Sequence, residues 1–180
     1  MMTPTKRKQM RTLAVAPSTR GFGFALIEAQ RLVDWGIKSV KGEKNKASVS
    51  KVEALLALYK PEILVLEDAS ADESRRSPRI RLLTRQLAAL AETHGVEARQ
   101  LTRLQVRHVF FHDEKGTKEG LAQMLAQWFP EELGLLLPPK RRPWMSEDCR
   151  MNIFEAVALA LALSHCKSKR PGADQQVSGA

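Results

Sequence analysis

The chain is short of cysteine, of long apolar runs and of acidic residues, and each shortage removes a class of explanation. Two cysteines in 180 residues, Cys149 and Cys166, cannot frame a disulfide-stabilised domain. No histidine or cysteine stands beside them at a zinc-ligand spacing. The setting to expect is reducing and cytoplasmic. No apolar stretch approaches the roughly 20 residues that a membrane-spanning helix needs. The opening MMTPTKRKQM is basic, without the apolar core of a secretion signal. With 43% hydrophobic residues the composition is globular, and the length suits one domain.

The acidic shortage is the most telling. Twenty Asp and Glu face 29 Lys and Arg, a net charge of +9. Such a balance favours a polyanionic partner, either nucleic acid or an acidic membrane surface. Between Arg75 and Arg107 stand eight arginines and no lysine, offset only by Glu92 and Glu97. A planar guanidinium forks onto phosphate oxygens, which points to nucleic acid.

What the chain does have is a run of well-marked elements. Thr12 to Ala16 is a short apolar strand, and Pro17 to Gly21 supplies turn residues. Phe22, Phe24 and Leu26 then alternate with Gly23, Ala25 and Ile27, a strand apolar on both faces. Gly21 and Gly23 allow a ligand or another chain segment to come close. A third strand follows from Leu32 to Val40, completing an antiparallel meander, and KGEKNK (41–46) reads as a charged loop. Ser50 and Glu53 have capping-box spacing for a helix that ends at Pro61. EILVLE (62–67) is a central strand.

Pro78 opens a helix to about His94, with Leu82, Leu83, Leu87 and Leu90 as its inner stripe. Val96 to Leu101 is a fifth strand, and Thr102 with Gln105 caps a helix carrying Arg103 and Arg107. Thr117 caps another helix, with Leu121, Met124, Leu125 and Trp128 facing inward. Pro130 to Trp144 is a long connection, and Ser146 or Asp148 caps a last helix from Cys149 to about His165. The order predicts an α/β fold: a five-stranded mixed sheet, its first three strands antiparallel, with helices on both faces and the fourth strand beside the first. Residues 1–11 form a basic arm, 12–166 the domain, and 167–180 a disordered basic tail.

Chemistry gathers where carboxylates meet the sheet. Glu67 closes an apolar strand, at the end where clefts of such sheets open, and Asp68 points to the opposite side. On the last helix Asp148, Asn152 and Glu155 share a face beside the apolar stripe Ile153, Val157, Ala160 and Leu161. If Glu67 and Glu155 converge, they form a hard oxygen site suited to Mg²⁺ or Mn²⁺. Two such ions about 4 Å apart serve phosphodiester cleavage in two-metal nucleases.

TLAVAPSTRGFGFALIE, ILVLED and RMNIFEAVALALALSH, in this order and context, resemble the RuvC-like Holliday junction resolvases of the RNase H-like superfamily. Gln105-Val106-Arg107 and Lys118-Glu119 also resemble that family's pattern, and the likeness runs from about Thr12 to His165. It implies an RNase H-like fold and a homodimeric endonuclease that cuts branched DNA with two Mg²⁺ (or Mn²⁺) ions, in recombination or repair. Glu67 matches the strand glutamate and Glu155 the final acidic residue, and Asn152 stands where the family has another aspartate. Ala16 stands where it has the first-strand aspartate that bridges both metals.

Two of four expected carboxylates are therefore missing. Ala16 replaces a natural aspartate through engineering, or Asp148 or Asp68 supplies the charge, or the protein binds junctions without cutting them: these explanations stay open. The candidate catalytic set is thus Ala16, Glu67, Asp148 and Glu155, with Glu67, Asn152 and Glu155 as metal ligands. An RNA-processing nuclease of the related YqgF type is a further alternative. Arg76, Arg79, Arg107, Lys115 and Lys118 are candidates for holding phosphates, as are Lys140, Arg141 and Arg142 beside Trp144. His108 and His112 lack a third ligand and read as surface or packing residues.

Overall fold

The computed structural model describes residues 9–72, 74–112 and 115–168. The expected arm up to residue 8 and the expected tail from residue 169 lie outside the described residues. Five strands, β1 (Arg11–Ser18), β2 (Gly21–Glu28), β3 (Arg31–Ser39), β4 (Ile63–Glu67) and β5 (Glu97–Leu101), form one mixed sheet in the order β3-β2-β1-β4-β5. The first three are antiparallel neighbours; β4 runs parallel to β1, and β5 parallel to β4. The helices are α1 (Lys44–Tyr59), α2 (Pro78–Thr93), α3 (Arg103–Phe110), α4 (Lys118–Trp128), the short α5 (Pro130–Leu133) and α6 (Met151–Ser168). Among the described residues no helix is long and apolar enough to cross a membrane.

Alternation along the strands divides the core into two layers. Leu13, Val15, Phe22, Phe24, Leu26, Leu64 and Leu66 face α1 and α2, where they meet Val52, Leu56, Leu83 and Leu87. Ala14, Ala16, Ala25, Ile63 and Val65 face α6, behind which stand α3 and α4. The β1 and β2 residues under α6 include the small Ala14, Ala16, Gly23 and Ala25, and α6 lies correspondingly close to these strands. A Cβ on Gly23 would sit 2.3 Å from the backbone oxygen of Asn152. The close approach that Gly23 permits is thus made by the last helix. That contact fixes the height of α6 over β1 and β2, and with it the position of Glu155 one turn further on.

Several boundaries differ from the sequence expectation, each for a tertiary reason. β1 runs on through Pro17 to Ser18, leaving Thr19-Arg20 as a two-residue turn. Proline is tolerated there because pairing with β4 stops at Val15, so no β4 partner is waiting for its missing N–H. α1 begins at Lys44, well before the Ser50–Glu53 spacing, and Ser50 lies exposed within it. Its first turns are held from outside. Lys44 Nζ donates to Thr19 O at 2.8 Å, Asn45 Nδ2 donates to Arg79 O at 3.1 Å, and Ser48 is buried.

Trp128 is half exposed, packing one side on Phe110 at 5.7 Å, because the small Ala122 and Ala126 take the inner face of α4 with Leu125. Leu82 is likewise exposed, and Ile80 takes its place inside α2. The connection after α4 folds into α5 and a 3₁₀ turn at 134–136. α6 starts at Met151, two residues later than expected. It is buried almost all round rather than along one stripe, being enclosed by the sheet, α3 and α4.

Candidate functional site

The register of the parallel pair ends with Val15 beside Leu66, so the next residues outward are Ala16 and Glu67. Alternation turns both toward α6, which brings Glu155 down to the same place. Glu67 and Glu155 do converge, and Ala16 lines the same cleft. A guanidinium joins the two carboxylates. Arg76, in the segment between β4 and α2, donates to Glu67 Oε2 through Nε at 2.9 Å and through Nη2, and Nη2 also reaches Glu155 Oε2 at 3.5 Å. Arg103, the first residue of α3, approaches Glu67 Oε1 at 3.5 Å. Lys118, the first residue of α4, pairs with Glu155 Oε1 at 2.6 Å and with Glu147 at 3.1 Å. Both site glutamates are largely enclosed, with about one-sixth or less of each side chain exposed (14% and 16%).

Burial alone would raise the Glu155 carboxyl, but Lys118, Arg76 and Arg103 together outweigh it and hold the group below its usual range. Burial alone would likewise favour a neutral Arg76. Glu67 and then Glu155 reverse that and hold it firmly charged. The centre is a closed electrostatic cluster in which two carboxylates meet three cationic groups.

These residues do not fit a pair of divalent cations. Ala16 offers no donor atom. Both glutamates are already engaged by cations, and an ion placed between them would meet Arg76. Asn152, buried at the foot of α6 with its backbone against Gly23, could offer only a neutral oxygen. Asp148 lines the adjoining hollow with Asn152 and Glu155, but Arg150 clasps its two oxygens at 3.0 and 2.6 Å and keeps the carboxyl below its usual range. Asp68 accepts from the backbone N–H and hydroxyl of Ser70. Among the described residues no three His, Cys, Asp or Glu side chains come together to hold a metal.

The expected phosphate-holding residues fall into two groups. Arg76 and Lys118 serve the cluster, and Arg79 ties α2 to the hairpin end, donating to Ser18 O and Asn45 Oδ1 at 3.1 Å each. Arg107 lines the cleft beside the apolar Val106, Phe111 and Leu121, and Lys115 is exposed nearby. Lys140, Arg141 and Arg142 are exposed on the connection to α6. Sequence reasoning did not single out Arg103 or Glu147 for this site. The register of Glu67 beside Leu101 places Arg103 just past the end of β5, but that pairing is visible only once the sheet is built.

Comparison with solved structures decides the fold. A Thermus thermophilus RuvC structure superposes with a TM-score of 0.63 at 18% identity, covering 88% of this chain and 96% of that one. The fold is that of RuvC. The T. thermophilus RuvC complex with a Holliday junction substrate gives 0.62 at 17% identity, covering 89% and 97%. The Fowlpox virus resolvase bound to Holliday junction DNA gives 0.50 at 13%, covering 87% and 99%. No protein-family model and no curated protein matches the chain. The RNase H-like, RuvC-like architecture expected from the three motifs is therefore present, and the substrates just named are those of the superposed proteins.

Proposed function

We propose that this protein binds nucleic acid, preferentially branched DNA, as a non-catalytic member of the RuvC-like fold. One observation carries the reading: Arg76 lies between Glu67 and Glu155 where Ala16 leaves the first strand without a carboxylate. Two-ion hydrolysis needs carboxylates free to neutralise the metals, whereas these are already held by three cations. A metal would first have to displace Arg76, the main partner of Glu67, and breaking comparable enclosed pairs costs about 3–5 kcal/mol. Binding has separate support in the net charge of +9, in Arg107 at the cleft, and in the exposed cations Lys115, Lys140, Arg141 and Arg142. A homodimer, with two such surfaces side by side, would suit a branched ligand.

The test is equilibrium binding to a four-way junction, linear duplex, single strand and RNA, in EDTA and in Mg²⁺ or Mn²⁺. The expected result is salt-sensitive binding, strongest for the junction, unchanged by EDTA and without product. Metal-dependent nicking of DNA that disappears in Glu67→Gln would overturn the proposal in favour of a nuclease. Cleavage confined to RNA would favour the YqgF-like alternative.

A further inference from the structure

Trp144 is 76% exposed, in a chain with only three tryptophans. Tryptophan is highly buried on average, so an indole left in water stands out. Its setting is built rather than loose. Pro138, Pro139 and Pro143 restrict the backbone around it. Met145 N donates to Arg142 O at 3.0 Å, closing a turn under the ring, and Arg141 Nε donates to Met145 O at 2.6 Å. The Arg142 guanidinium lies 5.6 Å from the ring centroid.

Of the acids in the adjoining hollow, Glu119, Glu147 and Asp148, the last two are engaged elsewhere, by Lys118 and by Arg150. They leave the positive charge of Lys140, Arg141 and Arg142 in place around the indole. An exposed indole with a guanidinium over one face and two further cations in the same short segment, on a backbone already set, matches one ligand chemistry: a flat base flanked by phosphates.

We infer that Trp144 is a stacking platform for an unpaired nucleobase, with Lys140 and Arg142 holding the adjoining phosphates. The inference rests on the nucleic-acid-binding reading and adds a source of selectivity to it. Bases within a duplex are already stacked and present only their edges, whereas a single strand or the open centre of a branch offers a free face. The indole therefore distinguishes unpaired from paired DNA, while the cations bind both.

The experiment compares the unaltered protein with Trp144→Ala, Trp144→Phe and Lys140→Ala/Arg142→Ala on a single strand, a four-way junction and a blunt duplex. Trp144→Ala is expected to weaken single-strand and junction binding about tenfold and duplex binding less than about twofold. Trp144→Phe keeps most of the affinity, and the double variant weakens all three ligands. Trp144 lies outside the core, so its replacement should leave the fold intact, which circular dichroism checks. If the unaltered protein binds but Trp144→Ala changes nothing, or lowers all three ligands equally, the stacking inference fails and the binding reading stands. If the unaltered protein binds no nucleic acid, both fail. Loss of binding to anionic lipid vesicles in Trp144→Ala, with DNA binding unchanged, would assign the indole to a membrane surface and overturn the inference.

Discussion

The centre under α6 and the 138–146 connection both concentrate basic residues, and they use them in opposite ways. At the centre, Arg76, Arg103 and Lys118 close on Glu67 and Glu155, so charge is matched locally around two enclosed carboxylates. On the connection, Lys140 and Arg142 are exposed, and the neighbouring Glu147 and Asp148 are bound to other partners. Cations of the first kind stabilise the fold, and those of the second kind are available to a polyanion. Counting arginines does not separate the two. Their partners do.

The largest expected effect comes from removing the guanidinium at the centre. Arg76→Ala takes the shared guanidinium from two enclosed carboxylates, leaving Arg103 on Glu67 and Lys118 on Glu155, and should lower unfolding free energy by up to about 3–5 kcal/mol, read by urea denaturation. If the cluster stands in place of a metal site, the same variant combined with Ala16→Asp should gain thermal stability from Mn²⁺. Ala16→Asp alone should gain much less, because Arg76 still lies between the glutamates. A Mn²⁺-induced rise in Tm as large in Ala16→Asp as in the double variant would show that Arg76 does not exclude the ion.

Gly23→Ala comes next. The added methyl meets the Asn152 backbone, which cannot move aside as a flexible side chain could. Overpacking of this kind costs about 1–3 kcal/mol and should shift α6 away from β2. Because α6 carries Glu155, the variant should also loosen its pairing with Arg76, detectable as a shallower loss of stability on acidification. The exposed connection, which is not coupled to that contact, should keep its DNA-binding contribution.

The same pairing sets a pH dependence. Glu155 is held below its usual range in the folded state, so its contribution to stability is fully present above the ordinary glutamate value. It is lost as pH falls through the lower folded value. Stability should therefore decline on acidification below about pH 4.5, and Glu155→Gln should flatten that part of the profile. At neutral pH the variant should be the less stable protein, with the gap closing toward acid. A constant gap across the range would mean that the ion pairs are not what holds Glu155.

How much of this was readable in advance follows from distance along the chain. Pro78 in the first turn of α2, the Thr102–Gln105 capping box and the Thr117 cap formed as expected, because each depends on residues within one turn. The apolar alternation of β2 and the apolar run of β4 likewise forecast strands covered on both faces. Ser50 and Glu53 carried the same kind of local signal, yet α1 begins earlier because Thr19 and Arg79 hold its first turn.

The convergence of Glu67 and Glu155 was expected from the resemblance, but the cations between them were not. Arg76 meets one partner nine residues away and another 79 residues away. Nothing in the local pattern distinguishes an arginine awaiting phosphate from one already paired.

The smallest expected effect concerns the exposed cations. Replacing Lys140 and Arg142 by alanine should leave Tm nearly unchanged, since neither lies in the buried clusters. It should reduce the dependence of log affinity on log salt by up to about two units for duplex DNA, one for each phosphate no longer held. Conservative replacement of Arg103, whose guanidinium reaches Glu67 from an exposed position, should do the reverse: a measurable change in stability and little in the salt slope. If both variants altered stability and salt slope together, the centre and the connection would share one charge network. The division between cations that hold the fold and cations that hold the ligand would then disappear.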